Sequence, residues 1–261
     1  VHFIYLDSYS KDDVRQYIKF DRKELKPGKW FYLRSGVKFF IEKLLPKLTY
    51  KLGDFAEIKS GIRTGANDFF YMKDVSHLYE ADYIANPKKF EEWGVTAKNE
   101  KELREQELIY IENGNKERFV VNSNDLKFIV KSPKQLNKYT NYVDNIKTLV
   151  FYTNAPGEFS KKYIKYGESK KYHLRQTCKN RKLWFQLNDL KPTNIFLIGM
   201  PMEKIFSPST DKPILCDAQL YALYLNNNTF KIYLNSIIFY ICIELFGRRM
   251  GGGGGTLEMK V

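Results

Sequence analysis

The sequence is poor in the residues that carry most enzymatic chemistry. Its three histidines, His2, His77 and His173, are scattered and show no HxH or HExxH spacing. A metal hydrolase, which needs clustered His, Asp and Glu ligands, therefore has no support. The three cysteines, Cys178, Cys216 and Cys242, are an odd number with no CxxC pair, which argues against a zinc site or a disulfide framework. They fit reduced core thiols in a cytoplasmic protein. No GxSxG motif offers a serine nucleophile and no GxxxxGK[ST] motif offers a phosphate loop. The longest apolar run, "IIFYICI" from Ile237 to Ile243, is far short of the roughly 20 residues of a membrane helix and reads as a buried one. No signal peptide, internal repeat or long low-complexity linker is visible.

Acids are also in the minority. Against 43 Lys and Arg stand 30 Asp and Glu, a net charge of +13, so a polyanionic partner is the first reading and generic solubility the alternative. At 261 residues and 43% hydrophobic, the chain can bury a full core in one large domain or two small ones. It opens on "VHFIYLD" and closes on the strand-like "TLEMKV", and both ends look cut, as in a piece of a larger protein.

Periodicity supplies the elements. "SGVKFFIEKLL", Ser35 to Leu45, has helical spacing closed by Pro46. "LGDFAEIKSGIRTG" from Leu52 reads as a strand entering a glycine turn and "FFYMKD" as the strand leaving it, so "SGIRTGANDFF", Ser60 to Phe70, is a presented loop. In it Arg63, Thr64 and Asn67 are expected to point outward while Phe69 and Phe70 anchor the chain. Residues Glu91 to Glu117 read as a solvated helix and a hairpin at "NGN", an unsuitable face for DNA. "FVVN", "LKFIVKSP", "LVFYT", "IFLIGM" and "PILCDAQLYALYL" read as strands, and Phe230, Tyr233, Leu234, Ile237, Ile238, Ile241 and Leu245 fall on one helical stripe.

Three segments are candidates for anion contact. "SKKYIKYGESKKYHLRQTCKNRKLWFQL", Ser160 to Leu187, carries seven lysines and two arginines against the single acid Glu168, interleaved with Tyr163, Tyr166, Tyr172 and Trp184. Cations with flat aromatic faces suit a nucleic acid, and the alternative is a solvated helix face whose aromatics point to the core. "KSGIRTG" suits a phosphate-holding loop or a plain hairpin turn. Gly251 to Gly255, after Arg248 and Arg249, suits a phosphate cradle or a flexible hinge.

Four stretches in order, "LGDFAEIKSGIRTGANDFFYM", "IVKSP" at Ile129 to Pro133, "RQTCKNRKLWFQL" at Arg175 to Leu187 and "GRRMGGGGGTLEMKV" at Gly247 to Val261, resemble the target recognition domain of TaqI-like and Eco57I-like adenine-N6 DNA methyltransferases of restriction-modification systems. The resemblance covers most of residues 49–261 and leaves 1–48 as a connector or the tail of a catalytic domain. It implies an α+β fold of mixed twisted β-sheets with flanking helices, and sequence-specific recognition of double-stranded DNA for an upstream methyltransferase catalytic domain, with no membrane partner. The implied DNA contacts are Arg63, Thr64 and Asn67, with Lys131 and Ser132 as second contributors. The basic segment adds Lys161, Lys162, Lys170, Lys171, Arg175, Lys179 and Arg181, and the C-terminal stretch adds Arg248 and Arg249.

The family's catalytic signature, Asn/Asp-Pro-Pro-aromatic, has no match here beyond "NPKK" at Asn86 to Lys89, and no strand leads into a Gly-rich turn suited to S-adenosylmethionine. No catalytic residue, metal or cofactor is therefore expected in this chain, with S-adenosylmethionine expected in the parent protein. Other readings are half of a specificity subunit of a multi-subunit restriction system, an RNA-binding or scaffold protein, and a nuclease. The nuclease finds only "SPSTDKP", Ser207 to Pro213, without a partner carboxylate.

Overall fold

In a computed structural model, which describes residues 2–6, 14–19, 39–47, 51–136, 146–200, 206–249 and 257–258, the β-branched and aromatic runs become the strands of one large sheet. The chain divides into two compact units, Val1–Phe55 and Ala56–Val261. In the first, β1 (His2–Leu6) pairs antiparallel with β2 (Val14–Lys19). Of the helix expected over 35–45, the described part is Phe40–Leu44, wound with the wide hydrogen bond from Leu45 N–H to the Phe40 carbonyl, followed by a tight turn at Leu45–Lys47. The remainder, Ser35 to Lys38, lies outside the described residues.

The second unit holds the site. Its strands are β3 (Ala56–Ser60), β4 (Tyr71–Asp74), β5 (Leu108–Asn113), β6 (Arg118–Asn122), β7 (Leu126–Val130), β8 (Thr148–Phe151), β9 (Thr193–Ile198), β10 (Ser209–Cys216) and β11 (Leu220–Leu225). They form a nine-stranded sheet in the order β3-β11-β9-β10-β7-β8-β4-β5-β6. Every pairing is antiparallel except β10 with β7, through Leu215↔Ile129 and Cys216↔Val130. That one parallel seam joins two antiparallel halves, so the sheet is mixed and, with its flanking helices, the fold is α+β as the sequence implies. The connection from β3 to β4 must cross from one half to the other, which carries the presented loop over the seam.

The helices follow their local signals. α1 (Asn67–Phe70) is a single turn, so Phe69 and Phe70 lie in it rather than in the strand expected there. α2 (Tyr79–Ala85) and α3 (Pro87–Glu92) precede the helix expected in the glutamate-rich stretch, which forms as α4 (Glu100–Glu105). "NPKK" is a helix start: the Asn86 side chain accepts from Lys89 N–H at 3.4 Å, with Pro87 at the first helical position. Asn99 caps α4 in the same way at 3.0 Å. The hairpin at "NGN" forms between β5 and β6, with Asn113 Oδ1 accepting from the amides of Asn115 and Glu117.

α5 (Glu158–Ser169) turns Ser160, Tyr163, Ile164 and Gly167 inward and its lysines outward. Tyr163 stacks on Phe69 at 4.6 Å between ring centroids and donates its hydroxyl to the Phe69 carbonyl at 2.7 Å. Trp184 packs on Phe69 at 4.8 Å, and Tyr172 is buried. Tyr163 and Tyr172 of the basic segment are thus core residues, with Tyr166 and Trp184 half-buried against them. Beyond them comes the one-turn α6 (Gln176–Lys179).

α7 (Ile237–Phe246), capped by Ser236, forms where the apolar run lies, but it is not the buried helix that its composition suggests. Ile237 is 69% and Ile238 46% exposed, while Ile243 is 7% exposed. The expected stripe breaks because Asn228–Asn235 winds as a 3-10 helix, which rotates Tyr233 to the surface and leaves Leu234 inside. Ile243→Asp should cost about 3 kcal/mol by burying an unpaired charge, whereas Ile237→Asp should stay within about 0.5 kcal/mol. Urea melts of the two variants test this. β12 (Arg248–Arg249) pairs with β13 (Leu257–Glu258), and Gly251 to Gly255 lie outside the described residues. Among the described residues no helix is long and apolar enough to cross a membrane.

Candidate nucleic-acid interface

The loop between β3 and α1 is fixed at its β3 end by backbone hydrogen bonds. Gly61 N–H donates to the Leu220 carbonyl at 3.0 Å, Ile62 N–H to Cys216 at 2.7 Å, and Ala218 N–H to Ile62 at 3.0 Å. This approach leaves no room for a side chain at Gly61, where a Cβ would sit 2.1 Å from the Asp217 carbonyl oxygen. Gly65 is needed for a second reason: its φ of +76° lies in the left-handed region, and a Cβ there would meet Thr177 of α6 at 2.5 Å. The glycine turn is a braced loop rather than a two-residue hairpin turn.

Arg181 braces it from below. Its Nη2 donates to the carbonyls of Arg63 at 2.6 Å and Thr64 at 2.8 Å, and its Nη1 donates to the Trp184 carbonyl at 3.1 Å. The guanidinium lies over the Phe70 ring at 5.4 Å, and burial lowers its pKa from the usual arginine value. Thr64, expected to face outward, is only 2% exposed and donates its hydroxyl to Asn67 Oδ1. Two side chains remain outward: Arg63 and Asn67, whose oxygen accepts from Thr64; the Arg63 guanidinium and the Asn67 amide hydrogens have no partner among the described residues.

These two open onto a cleft of about 820 Å³ lined also by Asp68, Arg175, Gly199, Asp217 and Gln219. Arg175 pairs with Asp68 at 3.6 Å and lies 4.6 Å from the Tyr172 ring centroid, so it reaches the cleft on a fixed stem. The far wall is the β10–β11 connection, a turn closed by Leu220 N–H to the Asp217 carbonyl at 2.9 Å. The carboxylate of Asp217 accepts from the buried Tyr71 hydroxyl and, at 2.9 Å, from Gln219 N–H. Burial first, and the Asp217 carboxylate second, raise the Tyr71 pKa far above its usual value. Burial likewise pushes the Cys216 thiol up to about 12 and raises that of Cys178, so neither is a thiolate nucleophile near neutral pH. Among the described residues no three His, Cys, Asp or Glu side chains could hold a metal ion. The cleft offers cations, amide donors and carboxylate acceptors.

Apart from Arg175, the other expected contacts are not among the described residues that line the cleft. Lys131 is exposed with its ammonium 5.0 Å from the Tyr71 ring, and Ser132 accepts from Lys134 N–H at 3.4 Å, capping the turn whose Pro133 lines the cleft. Lys161, Lys171 and Lys179 are exposed. Lys162 donates to the Trp93 carbonyl at 2.5 Å and pairs with Glu158, and Lys170 pairs with Glu117 at 3.0 Å, so both are engaged by the protein itself. Arg248 and Arg249 stand opposite Glu258 and Leu257 in a two-stranded ladder. The sequence reading missed Asp68, Asp217 and Gln219. The signal for the last two was present in "CDAQ", a polar island between two apolar strand runs.

Residues 95–260 match the model of the family described as Type II methyltransferase M.Eco57I, C-terminal domain. The matched segment supplies Arg175, Arg181 and the whole far wall, and the loop that faces them precedes it. No curated protein sequence matches the chain.

Proposed function

The chain belongs to the family of the C-terminal domain of the type II methyltransferase M.Eco57I, and from that membership we propose that it is a sequence-specific double-stranded DNA recognition module, holding the duplex while an associated catalytic domain methylates an adenine. The family places the chain in a methyltransferase and restriction-modification setting. The observation that carries the finer reading is the braced loop, which holds Arg63 and Asn67 outward over a cleft where the guanidinium and the amide donors have no partner among the described residues. Arg suits guanine O6 and N7, and amide donors suit purine N7, guanine O6 or thymine O4. Asp68 in the same cleft, paired with Arg175 at 3.6 Å, puts a carboxylate where a surface built only for phosphate would exclude one.

The proposed role has no methyl transfer within this chain. Arg63 and Arg175 set positive charge in the cleft, which disfavours the sulfonium of S-adenosylmethionine there. The cofactor is assigned to the associated catalytic domain, and titration calorimetry of this chain with S-adenosylmethionine should give no stoichiometric binding. Recognition is tested by selection from a pool of 20-base-pair duplexes randomised at their centre. Enrichment of one short sequence, uncompeted by the same sequence as an RNA duplex, supports the module. No enrichment, or equal competition by RNA, overturns it.

A further inference from the structure

Resting on that reading, we propose that Gln219 is a specificity-determining residue that recognises an adenine·thymine pair in the major groove from the wall opposite Arg63 and Asn67. A carboxamide reads a base well only when its backbone is fixed, since a long side chain otherwise spends its contacts on ordering. Gln219 is fixed on both sides: its N–H donates to Asp217 Oδ1 at 2.9 Å and its carbonyl accepts from Gly199 N–H at 3.1 Å. Its side chain is exposed into the cleft and has no hydrogen-bond partner among the described residues.

The chemistry of the cleft assigns the base. Asn67 has one lone pair of its oxygen taken by the Thr64 hydroxyl, and Arg63 offers donors only. Gln219 keeps a donor and an acceptor side by side, the pair that meets adenine N7 and N6 together. Asp217, whose carboxylate is occupied by Tyr71 and the Gln219 amide, serves as a positioning residue beneath it.

The test uses the full chain and the duplex pool. Wild type should enrich a sequence with at least one strict A·T position, and Gln219→Ala should lose preference there by about tenfold while other positions keep theirs. Gln219→Glu, which retains only acceptors, should shift that position toward cytosine. Replacing the adenine by 7-deazaadenine should cost wild type about the same tenfold and Gln219→Ala nothing further. Undiminished preference at every position in Gln219→Ala, or a uniform loss at all positions, overturns the assignment to Gln219 alone. A wild-type chain that enriches no sequence overturns the recognition function and this assignment with it.

Discussion

Gly61→Ala should destabilise the second unit by about 3 kcal/mol or more, the largest effect expected from one added methyl group. The new Cβ would stand 2.1 Å from the Asp217 oxygen, 2.5 Å from its carbonyl carbon and 2.7 Å from the Cys216 oxygen, all backbone atoms that cannot rotate away. Relief requires the loop to part from the β10–β11 turn. Both reading walls would then lose the bonds that join them, Ile62 to Cys216 and Ala218 to Ile62. Gly53→Ala, in the first unit and with nothing among the described residues within 4 Å of the added carbon, should leave stability within about 0.5 kcal/mol. Denaturant melts decide the matter, and equal stability of the two variants would show that the walls are not rigidly joined.

Arg181→Met should cost about 2–3 kcal/mol and release the loop. It would strip charged donors from the carbonyls of Arg63, Thr64 and Trp184 while keeping most of the packing on Phe70. Arg181→Lys should not restore the loop, because one ammonium cannot reproduce a fork that spans all three carbonyls. Arg181 entered the sequence reading as a phosphate contact, and that role makes an opposite prediction: unchanged stability and a salt slope of binding reduced by about one unit. Hydrogen exchange at the amides of residues 63–65, measured beside the melt, separates the two. Fast exchange with lower stability marks the brace.

How much of this was legible in the sequence depended on the range of the forces involved. "FVVN", "LKFIVKSP" and "LVFYT" announced β6, β7 and β8 because β-branched runs between turn residues carry their own preference. The presented loop was legible from its glycines, and so was the anchoring by Phe69 and Phe70. The burial of Thr64 was not, since it follows from Arg181 and Cys178, over a hundred positions away, binding the loop carbonyls. The far wall was hidden for the same reason: the pairing of β3 with β11 that brings Gln219 opposite Arg63 is non-local. Charge count could not show the pairing of Lys162 and Lys170, whose partners Glu158, Trp93 and Glu117 all lie outside the basic window. The apolar run Ile237 to Ile243 formed a helix as expected, but a composition has no direction and could not say which side faces water.

The most direct test is the ratio of affinities for the selected duplex and a scrambled one, measured over several salt concentrations for Arg63→Ala, Asn67→Ala and the double variant Lys161→Ala/Lys171→Ala. Arg63 and Asn67 stand free over the cleft, so each variant should weaken the selected duplex by about 1–3 kcal/mol and the scrambled one little. The lysines lie on exposed positions where an ammonium acts as a point charge, so their loss should weaken both duplexes alike and reduce the salt slope by about one unit per lost phosphate contact. Arg63→Ala and Asn67→Ala weakening both duplexes equally would contradict a reading role for the loop and leave it a phosphate clamp.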